Sequence, residues 1–315
     1  MRLEGLHHIT MITGDARSNV AFYADTLGLR LVKKTVNFDD PSAYHLYFGD
    51  EAGAPGSILT WFEFPGAAPG RAGLGMIHTL RLGVPGAASI EFWETRLRDR
   101  GVTTERSADG ATLTFADPDG LRLQLVVADD GNPPLTAVHP EVPAAHAITG
   151  LEGARAYSMF SGVEESVLTD VLGFTHEGDG EYRLQGERRH FHWAYDPAPA
   201  LAPRQGAGTV HHIAWASRDE DHLDWQARIR EADGYVTEVK DRDYFNAIYF
   251  REPRGVLFEI ATLSPGFATD EDPEHLGEAL RLPKQHEHLR ERLEASLRPI
   301  VNPRAAGADA REVTA

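Results

Sequence analysis

The chain of 315 residues contains no cysteine. That excludes disulfides, thiolate zinc sites, iron–sulfur clusters and cysteine nucleophiles, and it fits a reducing compartment. Basic residues are scarce: 31 Lys and Arg face 48 Asp and Glu, a formal net charge of −17. A surface of that sign repels nucleic-acid phosphates and anionic lipid headgroups, so neither nucleic acid nor membrane is an expected partner. Long apolar runs are missing too. The most apolar stretch, LRLQLVVA at 121–128, falls far short of the roughly 20 residues that a membrane span needs. The N-terminus, MRLEGLHHIT, carries histidines where a signal peptide requires an apolar core. The expected location is cytoplasmic.

What is present is a repeat. FADPDGLRLQLV at 115–126 matches FREPRGVLFEIA at 250–261: each has Phe, an acidic residue, Pro, then Gly and an alternating apolar strand. Upstream of each lies another strand, MIHTLRLGV and TVHHIAWAS, followed by a helical stretch ending at Gly, near SIEFWETRLRDRG and EDHLDWQARIREADG. A third copy starts at LHHITMIT, with its helix in ARSNVAFYADTLG and strands in YHLYFGD and GSILTWFEF. A weaker fourth runs through AITGLEGARAYS, ESVLTDVLGF, EYRLQG and RHFHWAY. A strand–helix–strands unit recurring four times predicts two antiparallel half-barrels, each built from two units. Gly-, Ala- and Pro-rich linkers at 64–75, 128–145 and 196–208 separate the units. The chain therefore divides into 1–130 (first pair of units), 131–265 (second pair) and 266–315. That last part is polar, with one helix over KQHEHLRERLEASLR and a disordered tail from Pro303.

Fifteen histidines make a single histidine uninformative, but two doublets each lie in the opening strand of a unit: His7-His8 and His211-His212. Successive side chains of a strand point to opposite faces. His7 shares a face with Ile9 and Met11, and His211 with Ile213 and Trp215; these apolar faces should pack on the helices. His8 then shares the concave face with Leu6 and Thr10, and His212 with Val210 and Ala214. In VLFEIAT, Val256, Phe258 and Ile260 form an apolar face and Glu259 points the other way, beside Leu257 and Ala261. A carboxylate embedded there is costly unless paired or bound to a metal. In the unit of residues 76–126, Thr79 and Gln124 stand where His212 and Glu259 do, and in the first unit Thr60 takes the glutamate's place. Ligand-type residues thus survive only in the first and last units, which predicts one metal site made by pairing them. Two histidines and a carboxylate suit Fe(II) with open positions for an organic substrate and O₂, and Mn(II) or Zn(II) could take the same ligands. His190 and His192 form a lesser candidate pair, and His286 and His288 are expected to be solvated. Trp61, Phe191, Trp193 and Phe245 are candidate pocket walls.

LHHIT, FYADTLGLRLVKKTVNFDDPSAYHLYFGDEAGAPGSILTWFEFP, GTVHHIAW and LFEIAT together resemble the vicinal oxygen chelate superfamily, and within it the ring-cleaving dioxygenases of the hydroquinone 1,2-dioxygenase type. The likeness covers about residues 5–300. It implies an α+β fold of four βαβββ modules, an Fe(II) site held by His8, His212 and Glu259, and a small aromatic diol and O₂ as substrates. It further implies that His7, Thr10, His211, Arg242 and Tyr249 act around the metal. Placing His7 and His211 there conflicts with strand alternation, and a bulge or strand end would reconcile the two. A homo-oligomer is what the superfamily suggests. Two rival readings keep the fold: a glyoxalase-like or catechol-cleaving metalloenzyme, and a non-catalytic small-molecule binder.

Overall fold

In the first module, β1 (Leu6–Thr13) leads into α1 (Ala16–Val20), started by the Asp15 carboxylate accepting from the Arg17 and Ser18 amides. The helix widens into a π-helical stretch, Ala21–Thr26, and stops before Gly28, whose φ of +72° a glycine adopts without strain. Then follow β2 (Arg30–Val36), β3 (Tyr44–Gly49) and β4 (Ile58–Glu63). The second module comprises β5 (Ile77–Val84), α2 (Ala87–Asp99), β6 (Glu105–Arg106), β7 (Thr112–Ala116) and β8 (Arg122–Val127). In the third, β9 (Leu151–Ser158) and a π-helical turn, Val167–Val171, precede β10 (Thr175–Gly178), β11 (Glu181–Gln185) and β12 (His190–Pro197). The fourth has β13 (Val210–Ser217), α3 (His222–Glu231), β14 (Lys240–Asp241), β15 (Asn246–Arg251) and β16 (Leu257–Thr262). This is a computed structural model, and it describes residues 1–128, 131–159, 166–232 and 234–304. The tail expected to be disordered lies, from 305 on, outside them. Among the described residues no helix is long and apolar enough to cross a membrane.

The modules form two eight-stranded sheets, one in the order β14-β15-β16-β13-β1-β4-β3-β2 and the other β10-β11-β12-β9-β5-β8-β7-β6. Modules one and four therefore share a sheet, and modules two and three share the other. A division of the chain at 130/131 cuts across this grouping, whereas the predicted pairing of first and last units coincides with it. The sheets are mixed rather than wholly antiparallel: in each module the opening strand runs parallel to the closing one, as β1 does to β4 and β13 to β16. The strand register also places Thr10 beside Thr60, Arg81 beside Gln124 and Ala214 beside Glu259. Thr60 and Gln124 thus hold the position of Glu259, as the repeat predicts.

The central antiparallel pair, β1 with β13, contains two bulges. Leu6 pairs with Trp215 and His8 with Ala214, skipping His7; Thr10 pairs with His212 and Met11 with Val210, skipping His211. Each doublet thus contributes one extra residue, which resets the alternation. Leu6 and Val210, placed by strict alternation on the concave face, instead join Ile9, Met11, Ile213 and Trp215 in the large apolar core on the helix side. Val256, Phe258 and Ile260 lie in that core as expected. A smaller cluster fills the concave side of the first sheet, with Val32, Tyr47, Ala214, Ala247, Ala261 and Phe245 among its members.

Two tyrosines tie the sheets together. Asp117 and Glu252, the acidic residues of the matched ADPDG and REPRG turns, each cap their turn by accepting from a backbone amide, of Leu121 and Val256 respectively, at 2.8 Å. Each also accepts a hydroxyl from a module in the opposite sheet: Tyr23 to Asp117 at 2.9 Å, and Tyr195 to Glu252 at 3.0 Å. The C-terminal segment folds back over the first sheet. Phe267 and Leu276 enter the smaller cluster, and fully buried Lys33 of β2 pairs with Asp270 at 2.6 Å and with Glu271. A 3₁₀ segment (Lys284–Leu289) and α4 (Arg290–Ser296) follow, and Arg304 pairs with Glu51 at 2.6 Å.

Candidate metal centre

β13 lies between β1 and β16, so side chains from the concave faces of all three can meet. They do. His8 Nε2 is 3.3 Å from His212 Nε2, and Glu259 Oε2 is 3.4 Å from the first and 2.9 Å from the second. All three side chains are buried, and their potential ligand atoms lie within 4.8 Å of one another. Neither oxygen of Glu259 makes a geometrically sound hydrogen bond, and the polar atoms closest to it are the Nε2 nitrogens of His8 and His212, placed to share a cation with it. An anion so buried without donors is costly, and a divalent cation at the point where the three side chains converge would satisfy it. The residues fit a metal ion.

Electrostatics agree. Burial pushes the Glu259 carboxyl up, but His8 and His212 outweigh it and hold the group well below the usual range. Burial lowers His212, keeping the imidazole neutral with a lone pair to offer. Behind each imidazole stands its bulged neighbour. His7 Nδ1 is 2.8 Å from His8 Nδ1, and His211 Nδ1 is 2.8 Å from His212 Nδ1. A proton on the Nδ1 of His8 and of His212, donated to those neighbours, frees both Nε2 atoms for the centre, the usual outer support of a ligating histidine. His7 is itself lowered to about 3, by burial first and by His8 second, and it also bonds the backbone of Thr262. Its neutral ring can thus accept the proton of His8. The bulges therefore resolve the conflict between alternation and resemblance: His7 is buried behind the centre, and His211 stands exposed at its edge.

A cavity of about 240 Å³ opens over the three residues, lined among others by His45, Tyr47, Phe62, His211, Arg242 and Tyr249. Tyr249 is the cross-strand partner of Glu259, and burial together with the glutamate pushes its hydroxyl up, so it stays protonated. Arg242 Nε donates to that hydroxyl at 3.3 Å, and its other end pairs with Asp39 at 3.2 Å. Thr10 bonds Thr60 at 2.9 Å, Thr60 bonds His45 Nε2 at 2.8 Å, and His45 Nδ1 bonds Tyr47 at 2.9 Å. Of the residues around this cavity, sequence reasoning singled out His211, Tyr249, Arg242, Thr10 and Thr60 and missed His45, Tyr47, Phe62 and Asp39. A signal existed for His45 and Tyr47: in YHLYFGD they alternate with Leu46 and Phe48, which lie in the large core.

Some expectations fail. Of the four aromatic candidates only Phe245 lines the cavity, its ring 5.2 Å from that of His8. Trp61 packs on Tyr23 and Phe48, and Phe191 and Trp193 on Trp215, all within the large core, because they sit on the helix-facing side of their strands. His190 and His192 belong to β12 in the other sheet, away from the centre. His286 is half-buried rather than solvated, its Nε2 2.8 Å from the Phe38 carbonyl, while His288 is exposed.

Comparison with known proteins places the chain in a family. The model of the Glyoxalase/Bleomycin resistance protein/Dioxygenase superfamily matches residues 5–125 and 166–260. The chain belongs to this superfamily. It is 45% identical over 304 residues to MhqO of Bacillus subtilis (strain 168), whose name assigns it provisionally as a ring-cleaving dioxygenase; the match covers 94% of this chain and 96% of that one. It is 33% identical over 329 residues to the chlorohydroquinone/hydroquinone 1,2-dioxygenase of Sphingobium indicum, covering 95% and 98%. A crystal structure of a B. subtilis protein described provisionally as a dioxygenase superposes with a TM-score of 0.85 at 42% identity, covering 95% of this superfamily member and 98% of that chain. Glyoxalase I from Zea mays shares the fold alone, with a TM-score of 0.57 at 13% identity over 86% and 95% of the chains.

Proposed function

We propose that the protein is a non-haem Fe(II) dioxygenase that opens the ring of hydroquinone-type or other dihydroxylated aromatic compounds with O₂. The observation that carries this reading is the buried convergence of His8, His212 and Glu259 beneath a ring-sized cavity, with the carboxylate left without hydrogen-bond donors. The likeness to the hydroquinone 1,2-dioxygenase supports the choice of substrate. His8, His212 and Glu259 would hold the metal, which when bound supplies Lewis acidity and an electron path between diol and O₂.

The remaining residues orient the diol and move its protons. Phe245 and Phe62 flank the cavity and exclude water from its apolar sides. Tyr249, protonated and beside Glu259, donates a hydrogen bond to a substrate oxygen, and Arg242 fixes the phenol's position and favours negative charge forming there. His211, at the edge of the cavity, is lowered to about 3, by burial first and His212 second, so its neutral ring passes the hydroxyl proton on to solvent rather than holding it as the diol binds. His7 orients His8, and Thr10, through Thr60 and His45, holds the opposite wall. Both oxygen atoms of O₂ end in the product, turning one ring C–C bond into a carboxylic acid and an aldehyde or acyl end.

The test is anaerobic: load the protein with Fe(II), add hydroquinone or catechol, admit air, and follow O₂ consumption with the absorbance of the opened ring. Stoichiometric uptake is expected, and its absence with every dihydroxybenzene would remove the dioxygenase reading. The glyoxalase-like alternative has only fold likeness behind it. A cytoplasmic location and a homo-oligomeric state belong to this proposal as well, on the strength of the sequence and the family.

A further inference from the structure

A second cavity, of about 460 Å³, shares His211 and His212 with the first. Its walls come from the linkers at Gly75 and Gln205 and from the end of β15 and the turn that follows it, where Arg251 and Arg254 stand. The charge of the two cavities differs. The first holds two carboxylates, Asp39 and Glu259, beside Arg242. Around the second, every titratable side chain among the described residues is Arg or His, in a chain whose net charge is −17. Arg254 is already placed, its guanidinium over the Tyr195 ring and bonded to the Ser158 hydroxyl at 2.6 Å. Arg251 spends one nitrogen on the Gly255 carbonyl at 2.7 Å, and no carboxylate among the described residues lies within ion-pair reach of it. The rest of its planar fork faces a space that suits a carboxylate.

We infer that this second cavity binds a small carboxylate-bearing molecule, and that its occupant is the ring-opened product. The inference rests on the proposed reaction, whose chemistry supplies the reason: a neutral diol enters, and an acid leaves. A cavity carrying carboxylates as well as Arg242 serves the first, and a basic one beyond His211 serves the second. Arg251 is accordingly a product-site residue, touching the new carboxylate as it clears the metal centre. The same chemistry could come from a carboxylate already present on the substrate ring, so the experiment separates the two sources.

The Fe(II)-loaded protein is kept under argon, so that nothing turns over, and is titrated calorimetrically with cis,cis-muconate, an unsaturated six-carbon diacid. Wild type should bind it, Arg251→Gln should weaken binding by about tenfold or more, as expected for a lost charge-assisted bond, and Arg251→Lys should fall between. The KM for hydroquinone should stay within about twofold in all three proteins, because Arg251 does not itself line the first cavity. Equal muconate affinity in wild type and Arg251→Gln overturns the inference, as does no binding to wild type. A raised KM for 2,5-dihydroxybenzoate with muconate affinity unchanged assigns the carboxylate to the substrate, and overturns the product role. If O₂ uptake is absent with every diol while muconate binding still depends on Arg251, the dioxygenase reading falls and the anion site stands.

Discussion

His7 Nδ1 lies 2.8 Å from His8 Nδ1, although the two residues are neighbours in an extended strand. Only the bulge at His7 allows both rings onto one side. Replacing His7 with Phe keeps the apolar contact with Phe245 but removes the acceptor that fixes the tautomer of His8. Metal affinity should fall by about 10–100-fold with little change in the far-UV circular dichroism. A chelator-competition titration measures it, and an unchanged dissociation constant would refute the supporting role of His7.

Glu259 makes the metal-free protein unlike the loaded one. Binding of a cation to the native state alone should raise stability by about 2.7 kcal/mol at a free concentration 100 times Kd, so a chelator should lower the melting temperature. In Glu259→Gln, whose side chain is a far poorer ligand, that chelator-sensitive difference should vanish together with bound metal. Retention of both iron and activity in this variant would rule out the assigned centre.

Tyr249→Phe removes the protonated hydroxyl beside Glu259 and leaves the ring. The metal content should be unaltered and kcat should drop by about 10²-fold or more, within the range of a positioned proton donor. Stopped-flow kinetics on metal-quantified protein separates this from loss of iron.

Asp117 gives a pH dependence. Burial is the largest influence on its carboxyl, which is raised to about 6. Because the folded value lies above the unfolded one, near 4, the folded chain holds this proton more tightly. The stabilisation is complete below pH 4 and is lost as pH rises through 6. Two pH units correspond to about 3 kcal/mol. Asp117→Asn keeps the turn-capping carbonyl and cannot ionise, so its stability relative to wild type should improve between pH 4 and 7 in urea titrations. A flat difference across that range would contradict the burial argument.

Tyr195→Phe probes the matching tie in the other direction, leaving buried Glu252 without its hydroxyl donor. A loss of about 1–3 kcal/mol is expected, read from the urea midpoint at constant m-value.

Much of this was legible in the chain. The FADPDG and FREPRG match exposed the repeat because each turn needs its acidic cap, and the repeat located His8, His212 and Glu259 by asking where ligand-type residues survive. The bulges were not legible. Nothing local marks His7 and His211 as extra residues; the skip exists only in the pairing of β1 with β13, whose partners are about 200 residues apart. Strict alternation therefore put Leu6 and Val210 on the wrong face. Trp61 and Trp193 misled for a related reason: an aromatic residue on a strand reads alike whether it faces helix or cavity, and only the packed sheet decides. His45 needed Thr60 beside it, a relation set by the pairing of β3 with β4.

The grouping of the modules also orders their history. A ribosome delivers modules two and three consecutively, and their sheet needs nothing from either end of the chain. Module one must wait, its β1 edge unpaired, until β13 and β16 emerge. A nascent or truncated protein lacking the last third would hold His8 with neither His212 nor Glu259. The candidate metal site is then a late checkpoint of synthesis, assembled only when the first strand made meets one of the last.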